Sequence, residues 1–209
     1  MFVDEKNLVA SFMRRLYRQG LTTTSGGNVS WRVSGDYVLL TPSKLDKGEL
    51  KGEEIGVLTI DGKNLTPDLP PSIEADMHLA IYKARPDVRS VVHAHPLTAT
   101  ALAATGVEIN CRYIAESYAI VGTPVRAPYA MMGTPALAEN VSKAARDGNC
   151  VILDNHGVLA VGSTLLEAFD RLEVLERAAH TMLLLRAEES KRELTPEQLA
   201  ALDTLMKRK

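Results

Sequence analysis

The chain interleaves two periodicities that neither an all-helical nor an all-strand fold accommodates. Segments with apolar residues three and four apart alternate with short runs that read as strands. Residues 5–19 carry Leu8, Val9, Phe12, Met13, Leu16 and Tyr17 at helical spacing, with Gly20 as a stop. After a small polar loop, Val29-Ser30-Trp31-Arg32-Val33 alternates like a strand. Ser34-Gly35-Asp36 then turns the chain, and residues 37–40 return as the second strand of a hairpin. Further strands are expected at 57–60, 89–94, 150–153 and 158–161. Helices are expected from Ile73 to Ala84 with Ser72 as N-cap, at 98–105, and from Thr134-Pro135 to Asp147. Thr164-Leu165-Leu166-Glu167 opens a long helix to about Glu189, and Thr195-Pro196-Glu197-Gln198 opens a last one. This order predicts one α/β domain over residues 1–209, with a central, mainly antiparallel mixed sheet covered by helices.

Charge and composition exclude several classes of partner. Lys and Arg total 24 against 26 Asp and Glu, a net charge of −2, which argues against a nucleic-acid binder working through a basic surface. No stretch approaches the ~18 consecutive apolar residues of a membrane span. The N-terminus places Asp4, Glu5 and Lys6 where a signal peptide needs an apolar stretch. The two cysteines, Cys111 and Cys150, form no metal or redox motif. The expectation is a soluble, cytoplasmic protein.

The histidines carry the chemistry. In Val91-Val92-His93-Ala94-His95-Pro96, side chains two apart on a strand point the same way, so His93 and His95 present two imidazoles side by side. Such a pair suits zinc, which takes converging imidazole nitrogens. His156, in the turn Asp154-Asn155-His156-Gly157 between two apolar strands, is the candidate third ligand, with Gly157 expected to let the backbone turn tightly. Three such ligands leave an open position, the catalytic arrangement. The plain alternative is three unrelated histidines held by ordinary hydrogen bonds. His78, four residues after Glu74, and His180 are read as structural.

Five motifs occur in one order: Ser25-Gly26-Gly27-Asn28-Val29-Ser30, Leu40-Thr41-Pro42-Ser43, Pro71-Ser72-Ile73-Glu74, His93-Ala94-His95 and Asn155-His156-Gly157. Together they resemble the class II aldolase/epimerase family, which includes L-fuculose-1-phosphate aldolase and L-ribulose-5-phosphate 4-epimerase. The resemblance implies a zinc-dependent enzyme, commonly a homotetramer with active sites between subunits. It implies zinc held by His93, His95 and His156, Glu74 as catalytic acid/base, and a substrate phosphate in the segments holding Gly27, Asn28, Ser43 and Ser72. Small polar loops and helix N-termini suit an anion in any case. Lys44 stands where the aldolase pattern has Gly and adds a cation for phosphate or points to another substrate. Ile73 replaces a second Ser. Aldolase members also use a tyrosine from a neighbouring subunit. The ungapped register puts Ile114 there, a one-residue shift brings Tyr113, and Tyr118 is a second candidate.

On the resemblance, the expected activity is reversible aldol cleavage of a ketose 1-phosphate to dihydroxyacetone phosphate and an aldehyde. Glu74 and the short tail favour an aldolase over the 4-epimerase, which generally has Asp at that position and a longer tail. A 5-deoxypentulose-1-phosphate aldolase and a methylthioribulose-1-phosphate dehydratase of the same superfamily are alternatives. So is a non-enzymatic interaction module on this fold, against which the retained histidines and Glu74 speak.

Overall fold

The computed structural model describes residues 1–208. Its strands are β1 (Asn28–Arg32), β2 (Tyr37–Leu40), β3 (Gly56–Thr59), β4 (Ser90–Ala94), β5 (Val125–Ala127), β6 (Cys150–Leu153) and β7 (Gly157–Gly162). They form one sheet in the order β3-β2-β1-β4-β7-β6-β5. Every neighbouring pair is antiparallel except β5 and β6, so the sheet is mixed and mainly antiparallel, as the sequence pattern implies. The helices are α1 (Val3–Arg18), α2 (Ala75–Ala84), α3 (Leu97–Ala103), α4 (Ala115–Val121), α5 (Pro135–Ala144), α6 (Leu165–Leu184) and α7 (Pro196–Leu205).

Alternation along the strands sorts the core into two layers. Val92, Ile152 and Ala160 face a layer that includes α1, α3 and α6, while their neighbours Val91, Val151 and Leu159 face α2 and α5. The central strands β4, β6 and β7 are buried throughout, which is why β6 and β7 read as unbroken apolar runs. Phe169 of α6 anchors the first layer. It is fully buried, its ring centroid lies 5.5 Å from that of Phe12, and the Arg15 guanidinium lies 4.3 Å from its ring centre. No described helix is long and apolar enough to cross a membrane.

Three local differences from the sequence pattern have physical causes. Helix α2 starts at Ala75 and its N-cap is Glu74, not Ser72. The Ser72 hydroxyl accepts from the Glu74 N–H at 3.3 Å, so it closes the turn before the helix rather than capping it. Thr164 does cap α6 through the Glu167 N–H, but the Glu167 carboxylate reaches Ser163 instead of closing the box on Thr164. Helix α4 and strand β5, of seven and three residues, were too short to stand out in the sequence. The segment beyond α6 folds back: the Leu194 N–H donates to the Arg112 carbonyl at 2.9 Å, and Arg208 donates to the Tyr118 carbonyl at 2.8 Å.

Phe169→Ala empties the junction of α6 and α1. It should cost about 3–5 kcal/mol, seen in urea unfolding as a lower midpoint at unchanged slope.

Candidate metal centre

The pairing of three central strands gathers the site. Antiparallel register sets Asn28 of β1 opposite His93 of β4, and His93 opposite Leu159 of β7. His93 shares the parity of Val91, so its ring points into the α2 layer, where Glu74 enters from the turn before α2. The His93 Nδ1–H donates to the Val158 carbonyl at 2.9 Å, which fixes the tautomer and leaves the Nε2 lone pair free. His95 follows where β4 ends. His156 comes from the β6–β7 turn, in which Asn155 is left-handed with φ 51° and Asp154 is gripped by the Arg126 Nε–H at 2.9 Å.

Gly157 is needed, but for space rather than for turning. A Cβ there would lie 2.5 Å from His95 Cδ2 and 2.7 Å from the Ala94 carbonyl oxygen, while the left-handed turn residue is Asn155. Gly27 combines both demands: its φ is +67°, and a Cβ would lie 2.7 Å from the His93 carbonyl oxygen.

One ligand atom from each of His93, His95 and His156 lies within 4.8 Å of the others. The Nε2 atoms of His93 and His95 and both ring nitrogens of His156 are buried without a hydrogen-bond partner among the described residues. An orphaned buried polar atom costs about 1–3 kcal/mol, so these atoms, from which each of the three rings can offer one lone pair, mark a place built for something that binds lone pairs. A divalent metal fits that donor set. Burial first, then the neighbouring rings of His93 and His156, push the His95 imidazole down to about 3; burial likewise leads in lowering His93. The His93 and His95 rings are therefore held neutral, the form a metal requires.

Glu74, only 5% exposed, lies against the rings of His93 and His156. Its Oε2 is 3.3 Å from His93 Nε2 and accepts from Asn28 Nδ2 at 2.8 Å; its Oε1 is 3.1 Å from His156 Nε2 but accepts no aligned hydrogen bond. Burial pushes this carboxyl up, but His93, His156 and the Asn28 amide outweigh it and hold it well below the usual carboxylate range.

The remaining sequence candidates divide. Ser72 adjoins Glu74 and accepts from Asn28 Nδ2 at 3.1 Å. Ser43 is tied to the same strap: its N–H donates to Pro70 and its hydroxyl to Pro71, beside a Pro42–Pro71 bridge. Lys44 is exposed and left-handed, with φ 61°, at the position where the resemblance has Gly. Tyr113 sits half-buried in a 3-10 turn (Cys111–Tyr113) and, among the described residues, makes no hydrogen bond to Glu74 or the histidines. The Tyr118 hydroxyl is engaged by Asp203 at 3.0 Å. His78, a structural residue on the sequence pattern, is fully buried and its Nε2 meets Asn28 Oδ1. His180, on an exposed face of α6, has no tie to the centre.

Residues 7–183 match the family described as Class II Aldolase and Adducin N-terminal domain. Over 88% of this chain and 89% of the relative, the chain is 35% identical to a 3-oxo-tetronate 4-phosphate decarboxylase of Haemophilus influenzae. It is also 35% identical to an L-fuculose phosphate aldolase of Methanocaldococcus jannaschii, over 87% of this chain and 97% of the relative. Among solved structures, an L-fuculose 1-phosphate aldolase superposes with a TM-score of 0.89 at 32% identity, covering 98% of this chain and 96% of that one. The chain belongs to the class II aldolase family and is a metal-dependent carbon–carbon lyase of that family.

Gly157→Ala should weaken binding of added zinc at least about tenfold, measured by titration, because His95 must move away from the added Cβ. Metal-free protein should lose stability on acidification. His78 is held at about 3 by burial against 6.5 in the unfolded chain, so its contribution is complete above pH 6.5 and is lost as pH falls toward 3. Between pH 6.5 and 5 that loss is about 2 kcal/mol, read as a falling unfolding midpoint.

Proposed function

We propose that the chain is a zinc enzyme that reversibly cleaves a ketose 1-phosphate of the L-fuculose 1-phosphate kind into dihydroxyacetone phosphate and an aldehyde. The observation that carries this reading is the Glu74 carboxylate, buried against His93 and His156 of the three-histidine group, with one oxygen held by Asn28 and the other without an aligned hydrogen bond. Held by His93, His95 and His156, zinc would supply a Lewis acid toward the ketone and hydroxyl oxygens of the substrate. Glu74 is the proton carrier. In condensation Glu74 Oε1 takes a proton from the third carbon, and as that carbon bonds to the aldehyde carbon the aldehyde oxygen takes up a proton. In cleavage the fourth-carbon hydroxyl gives that proton up, the bond between the third and fourth carbons breaks, and the protonated Glu74 carboxyl returns its proton to the third carbon. Burial of Glu74 and His93 keeps bulk water from this exchange.

The segments holding Gly27, Asn28, Ser43, Lys44 and Ser72 would take the phosphate, with hydroxyls, backbone N–H groups and the Lys44 ammonium as donors. The left-handed backbone of Lys44 supports a specific use for its side chain, since a Gly there would be unstrained. Assembly as a homotetramer would bring Tyr113 from a neighbouring subunit to the aldehyde oxygen. Exposed Ile73, Met131 and Met132, the last adjoining Gly133 on the Ile73 backbone, form an apolar rim beside Glu74 that a neighbour could cover. The two buried, free cysteines accord with a reducing cytoplasm.

A second reading is decarboxylation of a 3-oxo acid phosphate, favoured by the name of the Haemophilus influenzae relative and by the extra cation of Lys44. Loss of carbon dioxide would leave an electron pair on a carbon that Glu74 could equally protonate.

Zinc-loaded protein incubated with dihydroxyacetone phosphate and a panel of aldehydes should give ketose 1-phosphates. Carbon dioxide release from 3-oxo-tetronate 4-phosphate without condensation, or epimerisation of ribulose 5-phosphate without aldehyde release, would overturn the first reading. Glu74→Gln should keep its zinc and slow hydrogen exchange at the third carbon at least about 100-fold. Lys44→Gly should gain about 1 kcal/mol of stability from relief of the left-handed residue yet raise KM for the phosphorylated substrate.

A further inference from the structure

Glu74 and Asn28 begin a row of buried polar side chains whose other members, His78, Ser30 and Tyr82, the chemistry above does not use. Glu74, His78 and Tyr82 are spaced four apart, from the N-cap of α2 along the helix; Asn28 and Ser30 are two apart on β1. Four helical residues rise about 6 Å and two strand residues about 6.6 Å, so the two rows stay in step. The side chains interdigitate. Tyr82 Oη lies 2.7 Å from Ser30 Oγ, Ser30 Oγ lies 2.7 Å from His78 Nδ1, His78 Nε2 meets Asn28 Oδ1, and Asn28 Nδ2 lies 2.8 Å from Glu74 Oε2. All five residues are at least 95% buried.

The direction of every bond follows from what each atom can do. Asn28 Nδ2 must donate, because it faces a carboxylate and the Ser72 oxygen. Its Oδ1 can then only accept, so His78 Nε2 carries the proton. His78 Nδ1 is left with a lone pair and accepts from the Ser30 hydroxyl, whose oxygen in turn accepts from Tyr82. Turning the Asn28 amide over would set its oxygen against the carboxylate and its NH2 against the His78 N–H. No bond in the row can reverse alone.

We propose that His78, Ser30 and Tyr82 are positioning residues that act on Glu74 through Asn28: a one-way chain of donors ends on Oε2 and leaves Oε1 as the oxygen that carries the substrate proton. This rests on Glu74 being the acid/base. The chain fixes the carboxylate's rotation, and each donor polarises the next, so Asn28 donates more strongly than an isolated amide. A carboxylate free to rotate would present either oxygen to the substrate, and misplacement on that scale is costly to rate rather than to binding.

The test combines kinetics with a readout independent of turnover. In zinc-loaded protein, His78→Met removes the donor at similar volume and should lower kcat for hydrogen exchange at the third carbon of dihydroxyacetone phosphate about 100-fold, with KM and zinc content unchanged. His78→Gln offers an amide N–H where Nε2 stood and should recover to within about tenfold of the unaltered enzyme. Equal losses in both variants, or a loss that merely follows their unfolding midpoints, would overturn the proposal. Nitrogen NMR of the histidine side chains should show His78 as the neutral Nε2–H tautomer, with its proton resonance shifted by Glu74→Gln. An Nδ1–H tautomer reverses the chain and refutes it, whatever the kinetics. If the unaltered enzyme fails to exchange while the Nε2–H tautomer and its Glu74→Gln shift are present, the acid/base reading of Glu74 falls, and with it the proposed action on Oε1.

Discussion

Four imidazole nitrogens with no partner, crowded beside a buried carboxylate, are the constraint to which the centre of this fold answers. Lone pairs aimed at one another in a dry interior repel, and a chain without a cation to receive them would have little reason to keep them there. The supports are correspondingly rigid. One ligand is pinned by a carbonyl across the sheet, another is carried on a turn clamped by Arg126 and Asp154, and the third is wedged where only a hydrogen atom fits at Gly157. The donor atoms come from strand ends and a turn rather than from mobile side chains on the surface, so the geometry is set by the sheet.

Much of this was legible in the sequence, for identifiable reasons. His93 and His95 could be paired because strand periodicity is strict, and His156 stood out as a polar turn between two runs with no other polar side chain. The mixed sheet was legible because its hairpins and strand lengths are ordinary. Ser72 misled because a Ser before an apolar helical stretch usually caps it; here its hydroxyl is committed to the turn and to Asn28. Gly157 was expected to bend the chain, whereas what it provides depends on His95, a neighbour that only tertiary structure supplies. Residues 107–133 escaped because elements of three and seven residues hold too little periodicity to rise above their loops.

His78 shows where spacing along one element is not enough. A lone histidine on a helix among apolar neighbours is most often core, and in burial it is core. What distinguishes it is a coincidence of spacing, Glu74-His78-Tyr82 against Asn28-Ser30, visible only once the helix and the strand are known to face each other. Its neutrality follows from the same burial, because an imidazolium there would have no water and would lose its acceptor role toward Ser30.

The register of β4 has a consequence for folding as well as for chemistry. Side chains on a strand alternate, so a slip of one residue against β1 and β7 would carry His93 and His95 through the sheet into the opposite layer and bring Val92 and Ala94 to face Glu74. Such a mispaired chain could still bury apolar residues on both faces, since Val91 and Val92 are adjacent and point to opposite sides of the sheet. It could not bind an ion. Metal affinity therefore discriminates between alignments that hydrophobic burial barely tells apart, and an ion present during folding would act as a proofreader of strand pairing.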